Sequence, residues 1–100
     1  MLFRSLVPGT RCGEIYDTVS GTLLGAGFPE LPHHAGHGLG LDAQEPPAFL
    51  PASKDVLEEG MICVIEPGIY SPENGGVRIE DCYIIESNRA RKISKFPLEL

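Results

Sequence analysis

The sequence predicts an α+β fold in which an N-terminal helix packs on an antiparallel β-sheet. Two observations favour this fold class. Apolar residues recur at helical spacing over residues 12–23, and two β-branched, apolar runs follow, MICVIEPGIY (61–70) and GVRIEDCYIIE (76–86). With 100 residues, of which 42% are hydrophobic, the chain can form one small domain or part of a larger one.

The helix comes first in the chain. Pro8-Gly9-Thr10 predicts a turn that leads into it, with Thr10 as a possible N-cap. Gly25-Ala26-Gly27 predicts its end after about four turns. The residues of its apolar stripe are Cys12, Ile15, Tyr16, Val19 and Leu23. We expect an ordinary packing helix, because this pattern contains no chemically unusual group.

Residues 28–55 are rich in proline and glycine, so we expect irregular structure with short extended pieces. The two apolar runs after them are joined by SPENGG, which suits a hairpin connection, and SNRA (87–90) predicts a further turn. If the hairpin loop is centred on Glu73, opposed residues have numbers that sum to 146, as 66 and 80 do. Glu66 and Glu80 are then expected to face each other across the two strands, with Cβ atoms about 5 Å apart.

Both glutamates interrupt otherwise apolar strands, so we expect two buried carboxylates side by side. Two such anions repel each other, and a divalent cation relieves that cost because hard metals favour carboxylate oxygen. Arg78, two residues before Glu80, is expected to point to the same face and could pair with an acidic group there. Two alternatives stay open: Glu66 could lie in water at a strand end, or it could form a structural salt bridge with Arg78.

All three histidines fall within LPHHAGHGLGLDAQEPP, residues 31–47. Neutral imidazole is the commonest metal ligand and can move protons near neutral pH. Glycines on both sides of His37 allow the backbone to pass close to a ligand or to another strand. A structural, hydrogen-bonded histidine is the alternative for each of the three.

Composition excludes some partners. The formal net charge of −6 argues against nucleic acid and against an anionic membrane surface. No run of 18 apolar residues is present, so we expect no membrane span. The three cysteines, an odd number without CxxC spacing, are expected to be reduced thiols, which favours a cytoplasmic location.

Three blocks, HHAGHGLGLDAQEPP, GMICVIEPGIY and GVRIEDCYIIE, occur in the order and spacing of the pita-bread metallopeptidase family, which this sequence resembles. That family includes Xaa-Pro aminopeptidase, prolidase, methionine aminopeptidase and the metal-free relative creatinase. The resemblance runs from about Leu6 to the end. It implies that residues 1–100 are the C-terminal portion of a pita-bread catalytic domain, a partial pita-bread fold with a curved antiparallel sheet.

The resemblance also implies roles for individual residues. His37, Glu66 and Glu80 match the metal ligands of the family, and Glu80 matches the bridging one. Glu66 would in addition act as the proton shuttle. His33 matches a catalytic, substrate-binding histidine of the Xaa-Pro peptidases, and Arg78 matches an arginine that supports the site.

The implied reaction is hydrolysis of an amide bond in a peptide or small amide substrate. The attacking water would be activated by two divalent ions, which could be Mn, Co or Zn. Two departures weaken that expectation. Gln44 stands seven residues after His37, where these peptidases usually carry a second histidine, so it is expected to bind substrate without supplying a proton. Two aspartate ligands of the family have no counterpart before His33.

We therefore expect weak binding of a single ion and little or no activity of this chain alone. A homo-oligomer, or association with a missing N-terminal half, is also expected, because a truncated sheet leaves an open edge strand. The alternatives are a metal-free, creatinase-like hydrolase and a non-catalytic binding module. His34 has no assigned role and is expected to be structural or exposed to solvent.

Overall fold

The computed structural model describes residues 6–41, 44–73 and 75–94, and within them one α-helix precedes seven short β-strands. The helix, α1, spans Cys12–Gly25. The strands are β1 (Gly36–Leu39), β2 (Glu45–Ala48), β3 (Ile62–Ile65), β4 (Gly68–Ser71), β5 (Gly75–Arg78), β6 (Asp81–Ile85) and β7 (Ala90–Lys92). None of the described helices combines the length and the apolar character that a membrane span requires.

The start of α1 differs from the expectation. The N-cap is Arg11, in an extended conformation and without a side-chain capping bond, so the prediction of Thr10 as N-cap is wrong. The backbone explains the shift, because the N–H of Leu57 donates to the carbonyl of Thr10 and Arg11 forms an isolated bridge with Val56. This pairing holds Arg11 extended until the helix begins at Cys12.

The end of α1 follows the prediction. The helix stops at Gly25, Gly27 takes a φ of +90°, and the N–H of Phe28 donates to the carbonyl of Leu23 at 3.0 Å. A glycine at positive φ closes the last turn without the steric cost that a Cβ would bring. The 14 residues of α1 make close to four turns.

Five strands form one antiparallel sheet in the order β2-β1-β3-β6-β7, and β4 pairs with β5 in a separate two-stranded sheet. β1 and β2 are the short extended pieces expected within residues 28–55, and a bulge between His37 and Gly38 interrupts their pairing. β2, with sequence EPPA, lies at an edge, where proline is tolerated. β7 was not predicted, because its first residue lies in the segment expected to be a turn.

The hairpin register matches the prediction. Opposed residues have numbers that sum to 146 from Ile62 opposite Ile84 to Ser71 opposite Gly75. Each predicted strand is broken once, at Glu66-Pro67 and at Ile79-Glu80. Pro67 has no N–H, but its carbonyl accepts a hydrogen bond from the N–H of Ile79, so the register continues across the break.

Helix α1 packs on one face of the five-stranded sheet. Inward residues of the helix join inward residues of β3 and β6 in a single buried cluster, and its largest fully buried side chains include Phe49, Leu6 and Ile15. The strand residues in this cluster are Cys63, Ile65, Tyr83 and Ile85. Because side chains alternate along a strand, Ile62, Val64, Cys82 and Ile84 point to the opposite face.

Candidate metal centre

Three potential ligands meet at one end of the sheet, on the face opposite α1. His37 pairs with Val64, and Val64 pairs with Cys82, so these three side chains form a row across the sheet. Glu66 lies two residues after Val64 and Glu80 two residues before Cys82, which moves both glutamates toward the same end. One ligand atom each from His37, Glu66 and Glu80 lies within 4.8 Å of the others.

The two glutamates differ in burial. Glu66 is 6% exposed, whereas Glu80 is an exposed residue. The expectation of two buried, facing carboxylates is therefore wrong for Glu80. The strand register explains why the two glutamates face each other, but it does not determine how deeply each is buried. Glu80 lies in the break between β5 and β6, where its side chain remains open to solvent.

The ring of His37 is oriented by the backbone. Its Nδ1 lies 2.9 Å from the carbonyl oxygen of Gly38, which can only accept, so we assign the proton to Nδ1. Nε2 then carries a lone pair and faces Glu66, with 3.9 Å between Nε2 and Oε2. A backbone carbonyl that fixes the tautomer in this way is typical of metal-ligating histidines.

The glycines around His37 allow the strands to approach closely. A Cβ on Gly36 would collide with the carbonyl group of Val64, and a Cβ on Gly38 would collide with that of Pro46. The expectation that these glycines permit close backbone passage is borne out for the neighbouring strands. His37 therefore sits on a strand whose flanking positions cannot carry side chains.

His34 is a residue of this site that the sequence interpretation missed. Its Nδ1 lies 3.3 Å from Oε1 of Glu66, and its ring centroid is 5.8 Å from that of His37. This buried Nδ1 atom nevertheless has no hydrogen-bond partner. The crowding of three imidazoles within five positions was the available signal, but it did not show which ring turns toward Glu66.

His33 points away from the three ligands and toward the β4–β5 hairpin. Its Nδ1 lies 2.7 Å from the carbonyl oxygen of His34, so Nδ1 donates and Nε2 accepts a hydrogen bond from the hydroxyl of Tyr70, also at 2.7 Å. The two rings meet edge to face with centroids 5.5 Å apart. Tyr70 was also missed, although its even spacing from Glu66 placed both on one strand face.

Arg78 and Gln44 do not join this cluster. Arg78 is exposed, lies opposite Gly68 in the β4–β5 hairpin, and forms no ion pair within residues 6–41, 44–73 and 75–94. The alternative of a Glu66–Arg78 salt bridge is thus not what the structure shows. Gln44 is exposed one residue before β2.

Cys82 lies on the ligand-bearing face but does not add a thiolate. Burial raises the pKa of its thiol, and the charges of Glu80 and Asp81 raise it further. All three cysteines, Cys12, Cys63 and Cys82, are free thiols. The donor set at this end of the sheet therefore consists of imidazole nitrogen and carboxylate oxygen.

This donor set fits a divalent metal ion. Imidazole and carboxylate together suit the first-row divalent ions, and the lone pair of His37 Nε2 already faces Glu66. The unpartnered Nδ1 of His34 gives a second indication, because a buried polar atom without a partner is costly unless something binds it. The cluster has the chemistry of an ion site with one open, solvent-facing side at Glu80.

Residues 1–87 match the family model for metallopeptidase family M24. The chain belongs to metallopeptidase family M24. It is 43% identical over 94 residues to a putative dipeptidase, YkvY, of Bacillus subtilis, covering 93% of this chain and 26% of that protein. It is 39% identical over 97 residues to an Xaa-Pro dipeptidase of Pyrococcus horikoshii, covering 96% of this chain and 28% of the relative.

The M24 fold is equally clear in three dimensions. The crystal structure of the prolidase from Pyrococcus horikoshii superimposes with a TM-score of 0.91 and 38% sequence identity, over 99% of this chain and 29% of the prolidase. The predicted α+β class, the pita-bread fold and the metallopeptidase family are confirmed. The chain spans little more than a quarter of the length of these relatives.

Proposed function

We propose that this M24 chain carries part of the active site of a metal-dependent, Xaa-Pro dipeptidase-like hydrolase. One observation supports the proposal above all, the convergence of His37, Glu66 and Glu80 within 4.8 Å. Residues 1–100 would form the C-terminal portion of the catalytic domain. The substrate class is a peptide or small amide.

His37, Glu66 and Glu80 would hold the ion, and Mn, Co and Zn all accept this donor set. The resemblance implies two ions in a complete domain. Divalent ions held there would supply Lewis-acid chemistry, which polarises a substrate carbonyl and lowers the pKa of water. The contribution of the protein is to fix the ligands before substrate arrives, and the Nδ1 contact of His37 with the Gly38 carbonyl serves that purpose.

Glu66 is suited to proton transfer because it is buried beside two imidazoles. In the proposed reaction its carboxylate accepts a proton from the water that attacks the scissile carbonyl. The same oxygen then delivers that proton to the leaving nitrogen. A glutamine at this position would keep the shape of the side chain but could not carry the proton.

His33 and Tyr70 would bind and orient the substrate. Their rings are locked together by the 2.7 Å hydrogen bond, and an open depression of about 310 Å³ borders Tyr70. Gln44 can donate one hydrogen bond to a developing oxyanion, and Arg78 would support the site from the β4–β5 hairpin. The exposure of both residues leaves room for substrate to reach them.

Association with further protein is part of the proposal. β2 and β7 are the edges of the five-stranded sheet, and an exposed edge offers unpaired backbone groups to another chain. The partner would be a second copy or the N-terminal part of an M24 domain. The three free cysteines support a cytoplasmic location.

Hydrolysis of an Xaa-Pro dipeptide tests the function. The chain is assayed with added Mn, Co or Zn, alone and together with a separately produced N-terminal part of an M24 domain that supplies the two aspartates. We expect metal-dependent hydrolysis in the mixture, and a loss of about 100-fold or more in Glu66→Gln. Glu73→Gln, an exposed glutamate of the same hairpin, is the matched control and should leave the rate unchanged.

Two outcomes would contradict the function. Hydrolysis that is indifferent to chelators would instead favour a metal-free, creatinase-like hydrolase. Absence of hydrolysis in the mixture, with the two parts shown to associate, would favour the non-catalytic binding module.

A further inference from the structure

We propose that His34 is an additional metal ligand of this site and binds through Nδ1. The inference rests on the proposed function, because it concerns the same ion. Neither the three-residue cluster nor the family resemblance assigns a role to this histidine. With it, the chain offers two imidazole nitrogens and two carboxylates to the site.

The first support is that His34 Nδ1 has no hydrogen-bond partner although it is shielded from solvent. Buried polar atoms are nearly always partnered in folded proteins, so an exception calls for an explanation. The atom is aimed at Glu66, the most deeply placed carboxylate of the cluster. A bound ion between them satisfies both groups.

The second support is the distance between His34 Nδ1 and Glu66 Oε1, which is 3.3 Å. Two donor atoms that each lie about 2.1 Å from one ion, at a tetrahedral angle, are about 3.4 Å apart. The observed separation is thus that of neighbouring ligands. Hydrogen bonds occur at similar distances, but this Nδ1 atom makes none.

The third support is the arrangement around Glu66. Its Oε1 faces His34 and its Oε2 faces His37, so the carboxylate lies between two imidazoles. The two rings are nearly perpendicular, with an interplanar angle of 81°. His34 is not among the residues whose ligand atoms all lie within 4.8 Å of one another, so its ring has to turn toward the ion for Nδ1 to bind.

His33 shows by contrast what a non-ligating histidine looks like in the same segment. Both of its ring nitrogens are already hydrogen bonded, to the carbonyl of His34 and to the hydroxyl of Tyr70. It has no lone pair free for an ion. His33 is therefore the matched control for His34.

A second imidazole changes the metal preference of the site. Nitrogen ligands favour Zn, Co, Ni and Cu, whereas Mn and Mg prefer oxygen. We therefore expect the chain to bind Zn more tightly than Mn, and the margin to shrink when His34 is removed. If His34 were purely structural, its removal would not change the ratio of zinc affinity to manganese affinity.

The experiment measures zinc and manganese affinity of the chain by competition with a chromophoric chelator, for the unsubstituted protein, His34→Ala, His33→Ala and His37→Ala. We expect zinc binding to weaken about 10- to 100-fold in His34→Ala and not to change in His33→Ala. If His37→Ala loses zinc binding but His34→Ala binds like the unsubstituted chain, the inference is overturned and the proposed function stands. If neither substitution affects binding, both are overturned.

A measurement on the unsubstituted chain avoids any folding defect of the variants. Long-range ¹H–¹⁵N correlation spectra follow each histidine ring nitrogen during addition of zinc. We expect the Nδ1 resonance of His34 and the Nε2 resonance of His37 to shift together, while both nitrogens of His33 stay in place. A shift at His37 without one at His34 would overturn the inference alone.

Discussion

The long hairpin of residues 62–85 has two halves that share one register but differ in burial. In the base, formed by β3 and β6, Cys63, Ile65, Tyr83 and Ile85 are buried and belong to the core under α1. In the tip, formed by β4 and β5, most residues are half-buried or exposed, and Tyr70 is 41% exposed. The same strand pairing therefore supports a rigid core at one end and an open surface at the other.

The candidate site lies at the boundary between these halves. Glu66 and Glu80 occupy the break in the two strands, His37 approaches from β1 on the base side, and Tyr70 holds His33 from the tip side. A rigid base can fix metal ligands, while an open tip leaves room for substrate. Under the proposed function, one strand register would therefore serve both tasks.

The largest contrast is expected from a matched pair of isoleucines. Ile65→Ala in the base removes a side chain that is 2% exposed and should cost about 2–5 kcal/mol of unfolding free energy. Ile69→Ala in the tip, outside the core cluster, should cost about 1 kcal/mol or less. Urea unfolding measures both. Equal costs would remove the distinction between the two halves.

A smaller effect is expected from a pair of glycines. Gly36→Ala places a methyl group against the carbonyl of Val64, so overpacking should cost about 1–3 kcal/mol and weaken metal binding at the neighbouring His37. Gly21→Ala, in α1 with open space around it, should stabilise by about 0.5–1 kcal/mol. Thermal unfolding together with metal titration checks the pair. A harmless Gly36→Ala would show that β1 and β3 need not approach so closely.

A third effect concerns pH and the core thiols. Burial raises the pKa of the Cys63 thiol to about 11. Burial also raises the pKa of the Cys12 thiol, and repulsion from Cys63 and Asp55 adds to this, so that it reaches about 12. Because the folded state holds these protons more tightly than the unfolded chain, stability is full below about pH 8.5 and falls as pH rises toward 11.

Urea unfolding at pH 8 and pH 10 measures this loss. Cys63→Ala should reduce the difference in unfolding free energy between the two pH values. In the folded chain at pH 8, a thiol reagent should modify half-buried Cys82 before either buried cysteine. Rapid labelling of Cys63 at that pH would contradict the burial of the base.

Sequence alone predicts the elements whose signals are local. The stripe from Cys12 to Leu23 and the glycines after it predict α1, and the β-branched runs with their central turn predict the hairpin register. β1 and β2, with the sequences GHGL and EPPA, lack β-branched and aromatic residues, so only their pairing with other strands makes them part of the sheet.

The candidate site also has features that the sequence predicts and features that it does not. Strand alternation and the family resemblance predict that Glu66, Glu80 and His37 lie close together. The structure has their ligand atoms within 4.8 Å of one another, and the strand register accounts for this proximity. The exposure of Glu80 could not be predicted, because alternation shows which face a side chain uses but not what covers that face. The contacts of His34 with Glu66 and of Tyr70 with His33 depend on tertiary packing.

Metal content after equilibrium dialysis tests the central claim most directly. The chain, Glu80→Gln and the control Glu73→Gln are dialysed against the same zinc concentration, and bound zinc is measured by mass spectrometry. We predict that the chain and Glu73→Gln retain zinc. Glu80→Gln should retain less, because its affinity for zinc falls about 10-fold or more. Equal metal content in Glu80→Gln and the unsubstituted chain would contradict a site built from His37, Glu66 and Glu80.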